Sequence, residues 1–375
     1  MFEKQSQEAG DNSQQFQANT VIVQNGIDEK RAREIVDEKL REVIMTYTQE
    51  AHAVAESRIH LFTNDLIPKL VKANLLDELK DPSIQILLSE AQKTAASTER
   101  EADYSLLSEL LIQRVKKGND RNVRAGVARA VEVVGEISND ALLGLTVAQS
   151  FSSILPASGD IETGVKVFSS IYEKIIYDPL PSDSLWLENL DILDAIRINQ
   201  FGAFKKSDVF LGDVFSGYVD VGINNESENY QRALEIIKTA SLPMDILCDH
   251  ELRAGYKRLR IVNINNLDSH QLLRQVPIDH DGRSTVLQLP SYLTTTEKQA
   301  LEYVYKLYTN DVYLRGENLK KFLSVLDSYS VLLQLRNWWD SIPQPFTITS
   351  VGKVLARANA QRCDPRIPPL KEYNI

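Results

Sequence analysis

Apolar positions recur along most of this chain at steps of three and four, the spacing of one face of an α-helix. Asp28 is a suitable N-cap and acidic Glu29 suits the first turn. From there the stripe runs through Val36, Leu40, Val43, Tyr47, Ala51, Val54, Phe62 and Leu66. It predicts one helix of roughly 40 residues, about 60 Å long, ending near Pro68 or a few residues later. Asp81-Pro82 reads as an N-cap with proline at the first helical position, and Ile84, Leu87, Leu88 and Ala91 carry the next stripe. Further helices are predicted from Ser97 or Thr98 to Val115, closed by Gly118, and from Asn119 or Asp120 through Val123, Val127, Val131 and Val134. Others run from Asn139 through Phe151, stopped by Pro156, and over 160–177 and 185–201. A helix every 20 residues or so, about the spacing of a bundle and without a sequence repeat, argues against a solenoid.

The texture changes near residue 202. Val209-Phe210-Leu211 and Tyr218-Val219-Asp220-Val221-Gly222 read as short strands set off by Gly212 and Gly217. Residues 259–264 and 284–289 alternate as strands do, the second preceded by the turn pair Asp281-Gly282. Helices are expected over 229–240, from Thr294-Thr295-Thr296-Glu297 onward, and over 317–335. Phe346-Thr347-Ile348-Thr349 reads as a strand, and Ser350 as the cap of a last helix through Val354, Leu355 and Ala358. The expected fold is mainly α: a multi-helix bundle with a long N-terminal helix and a few short β-strands in the C-terminal half. Its expected organisation is a polar leader with a short strand (1–26), the long helix (27–80), a helical bundle (81–201) and an α+β region (202–375).

The leader differs from the rest. Residues 3–19 are rich in Gln, Asn, Ser and Gly and cannot by themselves bury enough apolar area to offset ordering. Thr20-Val21-Ile22-Val23-Gln24 is then a β-branched run closed by the turn signal Asn25-Gly26. A lone strand must pair with something, either the rest of the chain or the same strand of another copy. Its polar surroundings also suit cross-β stacking. Val21, Ile22, Val23 and Gln24 are therefore the candidate self-association residues.

Composition narrows the setting. The 375 residues are 43% hydrophobic and 25% charged, ordinary for a folded chain. A net charge of −10 disfavours generic nucleic-acid binding, which needs clustered cations. Two cysteines, Cys248 and Cys363, are too few for a disulfide framework. The first 19 residues lack the apolar run of a signal peptide, and no 18-residue apolar window is present. A cytoplasmic protein without a membrane span is expected.

Catalytic signals are weak. There is no Walker loop, no dinucleotide fingerprint and no nucleophile elbow. None of the five histidines pairs with another at i, i+4, and no C-x-x-C occurs. Cys248-Asp249-His250 reads as a packed cysteine and a loop histidine, and Asp279-His280-Asp281-Gly282 as a turn. Glu188, Asp191, Asp194 and Arg197 are spaced for ion pairs. No catalytic residue, metal ligand or cofactor is expected. Arg114, Lys116, Lys117, Arg121 and Arg124 form one basic cluster. Lys353, Arg357, Arg362 and Arg366 form another, of which Lys353, Arg357 and Arg362 are candidate nucleic-acid contacts. Adjacent tryptophans on a helix do not both face one core. Trp338-Trp339 therefore reads as the covered end of a bundle or as one interface anchor.

The leader Ala-Gly-Asp-Asn-Ser-Gln-Gln-Phe-Gln-Ala (residues 9–18), the run 21–27, the segments 186–193 and 314–318, and Ile348-Thr349-Ser350-Val351-Gly352 resemble an uncharacterised family of bacterial helical proteins over most of the chain. The Gly-Asp-Asn leader is similar to segments of bacterial signalling and defence proteins that assemble into β-stacks. The ending around 348–363 is loosely similar to abortive-infection proteins of the alpha type. The resemblance implies no catalytic residue. The leading expectation is a non-enzymatic bacterial interaction protein that self-associates through its N-terminal strand and long helix, in defence or stress signalling, with homo-oligomers or proteins sharing the leader as partners. The alternatives are a nucleic-acid-binding regulator using the C-terminal helix, and an enzyme or toxin of unrecognised type.

Overall fold

A computed structural model describes residues 27–45, 47–116, 121–199, 201–280 and 283–368. The leader strand Val21–Gln24 lies outside them. The described residues form a mainly helical protein that divides into two compact units, one within 1–97 and the other within 98–375.

The first unit holds α1 (Glu29–Ile44), α2 (Gln49–Lys72) and α3 (Pro82–Ser97), each packed on the other two. Two predicted starts are present. Asp28 accepts a hydrogen bond from the Arg31 amide, and Asp81 accepts one from the Ser83 amide as Pro82 opens α3. The predicted single long helix is two helices, broken between Ile44 and Gln49. The break lets α1 fold back on α2, so that Leu40, Val43 and Ile44 share a core with Ala55, Ile59 and Ala96. A straight rod would leave that stripe in water. Helix α2 also runs through Pro68 to Lys72. The proline removes one helical hydrogen bond, but its neighbours Ile67 and Leu70 are buried, and their burial offsets the loss.

The second unit begins with α4 (Glu101–Lys116), α5 (Arg121–Val133), α6 (Asn139–Ser153), α7 (Ile161–Ile175) and α8 (Leu185–Ile192). Next come β1 (Ile196–Ile198), α9 (Ser207–Val214), α10 (Ser216–Val219), β2 (Ile223–Asn224), α11 (Glu228–Thr239), β3 (Leu247–Asp249) and β4 (Tyr256–Leu259). A hairpin, β5 (Gln271–His280) and β6 (Arg283–Tyr292), is followed by α12 (Thr295–Tyr305), α13 (Val312–Asp327), α14 (Ser330–Ser341), β7 (Phe346–Ile348) and α15 (Ser350–Cys363). Helix α15 is the axis of this unit. It packs against α4, α5, α6 and α7, and nine of its fourteen residues are buried. Its cap is Thr349, one residue before the expected Ser350. Strand β7 pairs antiparallel with β1, while β2, β4 and β3 form a three-stranded sheet in that order.

Sequence and structure part at 209–222. The apolar runs read as strands are the helices α9 and α10. A short β-branched run takes either form, and distant contacts decide. Here the Asp340 carboxylate of α14 accepts from the Ser207 amide (2.7 Å) and hydroxyl (2.8 Å), capping α9 from outside. Of the two readings of Trp338-Trp339, the structure shows the covered one, since both are buried. Helix α14 is covered on two sides: Trp338 meets Trp186 and donates to the Pro181 carbonyl, while Trp339 meets Phe151, Phe204 and Phe210 and donates to the Lys205 carbonyl.

The β5–β6 ribbon pairs ten residues with ten. Antiparallel pairs alternate between those that exchange N–H···O bonds and those that do not. Pro277 pairs with Val286 and Pro290 with Leu273, and both pairs fall in the same alternating class. Lacking an N–H, both prolines belong to the non-exchanging class, so one ring nitrogen faces each outer edge. That interrupts the donor row an incoming strand would use. At its base Arg274 binds both carboxylate oxygens of Glu297 (2.8 and 2.7 Å), the residue that closes the capping box of α12 with Thr294.

Candidate functional site

The break between α1 and α2 opens a recess in the first unit. A groove of about 360 Å³ lies there, with Leu40, Ile44, Met45, His52, Glu56 and His60 on its walls together with Asp37 and Arg41. Leu40 and Ile44 belong to the core and give it an apolar floor. Met45 stands at its edge, 85% exposed. On α2, Glu56 lies 3.8 Å from His52 on one side and 3.8 Å from His60 on the other, one turn away in each direction. The two histidines are therefore two turns apart, about 12 Å along the axis. Among the described residues no group of three or more His, Cys, Asp or Glu is placed to hold a metal ion. What the groove offers is an unbranched, adaptable methionine over an apolar floor, rimmed by charges of both signs. Such a surface takes up another apolar side chain. Of the groove's lining, Leu40 was legible in the step-three and step-four stripe. Met45, His52, Glu56 and His60 were not, because they converge only when the rod is broken.

The second unit holds a buried polar node around the Cys248-Asp249-His250 segment. The His250 ring nitrogen Nδ1 accepts from the Leu252 amide at 3.2 Å, so the proton sits on Nε2, which donates to the Asp220 carbonyl at 2.9 Å. Asn318 closes over the ring while donating to the Val219 carbonyl. Arg258, fully buried, donates to both carboxylate oxygens of Glu251 at 2.7 Å each. It also reaches the carbonyls of Gly159 (2.7 Å) and Leu259 (3.0 Å) and lies over the Tyr218 ring. Cys248 is half-buried, with its thiol 3.6 Å from the Arg258 carbonyl. Every group in the node is occupied by protein partners. It clamps α7, α10 and the three-stranded sheet, and the segment is a packed cysteine and a structural histidine.

Burial lowers the pKa of His250 to about 4, helped by Arg258 and Arg253 and opposed by the bond to Asp220 and by Glu251. The unfolded chain takes up this proton near pH 6.5 and the folded chain near pH 4. The resulting stability is complete above pH 6.5 and is lost as pH falls through that window, about 2 kcal/mol of it by pH 5. Thermal unfolding between pH 7 and 4.5 checks this: His250→Gln flattens the decline, and an unchanged slope would mean that other groups set the acid limit.

The basic residues divide. Lys353 and Arg362 are half-buried, with Arg362 lying over the Tyr177 ring and bonded to Asn359, whereas Arg357 is buried inside the unit. The three do not form one exposed face. In the other cluster Arg114 is buried, while Lys116 and Arg121 are exposed. Asp194 and Arg197 form the ion pair their spacing implies, at 2.6 Å.

Among the described residues no helix is long and apolar enough to cross a membrane. The fold thus defines a mainly helical, two-unit protein with a few short antiparallel strands. A protein-family model carrying the description ":-like" matches residues 26–367, and the chain belongs to that family. No curated protein and no solved structure shows significant similarity to it.

Proposed function

We propose that this chain is a non-enzymatic interaction protein that self-associates through its N-terminal region, the leader strand and the α1–α2 unit together. The observation that carries the reading is the groove at the α1–α2 break: an apolar floor with Met45 almost fully exposed at its edge. A side chain this apolar gains by leaving water when a second surface covers it. The β-branched run Val21–Val23, which reads from the sequence as a strand, would also need a partner. The resemblance of the leader to bacterial defence and signalling proteins supports a role for this assembly in defence or stress signalling in a bacterial cytoplasm. The two free thiols suit a reducing compartment.

Solution mass by light scattering tests the reading on three proteins: the full chain, a chain starting at Ile27, and Met45→Asp. The full chain is expected to be oligomeric, and both changes to lower its mass. A loss confined to the shortened chain would assign assembly to the leader alone. A monomeric full chain would end the proposal.

A further inference from the structure

Several arginines buried or half-buried in the second unit are answered by carboxylates. Arg258 has Glu251 and backbone carbonyls, Arg253 has Asn318, Glu317 and the Leu314 carbonyl, and Arg100 has Asp103 and Asn139. Arg357 breaks the pattern. It is 6% exposed, its Nε is buried without a hydrogen-bond partner, and no carboxylate pairs with it among the described residues. Burial alone acts on its guanidinium, pushing its pKa down. A guanidinium does not escape by releasing its proton at any ordinary pH, so its charge stays. An unpaired buried charge is strongly disfavoured unless something compensates it.

The place of Arg357 in the fold shows where the compensation must come from. Three residues before it, Val354 packs against Gly126 of α5. Four residues after it, Gln361 accepts from Gln113 of α4 at 3.0 Å and donates to the Ile367 carbonyl. Helical spacing puts Arg357 between these contacts, on the side of α15 that faces α4 and α5. The Gln361 side-chain amide is already used on both sides, so it leaves the Arg357 Nε unmatched. A guanidinium fork fits the two oxygens of a carboxylate or phosphate.

We propose that Arg357 is the cationic anchor of a site for a small oxyanion, bound on the α4–α5 side of α15. A nucleic-acid backbone does not reach a side chain buried among helices, so the ligand class that fits is a free ion of a few atoms. The site is independent of the N-terminal groove, and its test is unaffected by the fate of the self-association reading.

The experiment is thermal unfolding of the full chain in inorganic phosphate, in acetate and in chloride, at matched ionic strength and pH. Phosphate or acetate is expected to raise the melting temperature above chloride, by roughly 3 °C once the anion exceeds its Kd about tenfold. A response to phosphate alone defines a phosphate site, and a response to acetate alone a carboxylate site. Arg357→Met removes the charge at similar length, and is expected to melt higher than wild type in chloride and to lose the anion response. Calorimetric titration of wild-type protein with phosphate and with acetate gives a second readout that needs no variant. Equal melting in all three salts with no binding heat would overturn the proposal, and so would an anion response that survives in Arg357→Met.

Discussion

Glu251→Ala is expected to destabilise the second unit by about 3 kcal/mol, the lower end of the loss caused by removing one partner of a buried ion pair. The reason lies in Arg258, which has no exposure at all and whose two-pronged contact is with Glu251. Without the carboxylate, its charge remains inside with only backbone carbonyls to face. Burial works to raise the Glu251 pKa, yet the Arg258 bonds and charge outweigh it and hold the carboxyl below its usual value. The same geometry makes the effect asymmetric. Arg258→Met leaves Glu251 partly in water, where an unpaired carboxylate is tolerated. Melting temperatures of the two single variants and the double variant form the check. Adding Arg258→Met to Glu251→Ala is expected to recover much of the loss. A Glu251→Ala protein as stable as wild type would show that the node is not a clamp.

Gly352→Ala is the second large effect, expected to cost about 3 kcal/mol through overpacking. Gly352 lies in the first turn of α15, where its amide meets the Thr349 hydroxyl at 3.2 Å. A Cβ there would fall 2.0 Å from the Ala195 carbonyl oxygen and 2.9 Å from the Ile348 side chain. That carbonyl accepts from the Thr349 amide and hydroxyl, at 3.0 Å each, so it is held on the line of the clash. Relief requires moving α15 away from β1, and α15 is the element on which α4, α5 and α6 pack. Gly316→Ala is the control. Nothing lies within 4 Å of a Cβ at that position in α13, so alanine is expected to stabilise by about 0.5–1 kcal/mol through helix propensity. Chemical denaturation of the two variants separates the cases, and a harmless Gly352→Ala would mean that the β1–α15 joint yields.

Local chemistry was enough for part of this protein. The step-three and step-four stripes placed most helices. Asp28, Asp81-Pro82 and the Thr294–Glu297 capping box marked three helix starts, because a cap is made by residues within one turn of each other. The strands at 346–348 and 284–289 were legible from alternation, and the Asp194–Arg197 pair from spacing.

What tertiary structure alone decided involves partners far apart in the chain. Whether 207–214 is strand or helix turned on Asp340, 133 residues away. The continuous stripe from Asp28 onward was compatible with a rod. It became two helices because folding back buries Leu40 and Ile44 against Ala55 and Ile59, and the groove at Met45 exists only through that break. Trp338 and Trp339 are both buried because α14 is covered from two sides. Lys353, Arg357 and Arg362 looked alike as cations, yet only packing put Arg357 inside without a counter-charge. A sequence fixes which side chains can pair with near neighbours. The burial of a side chain, and the company it keeps there, depend on the sum of contacts that the whole fold assembles.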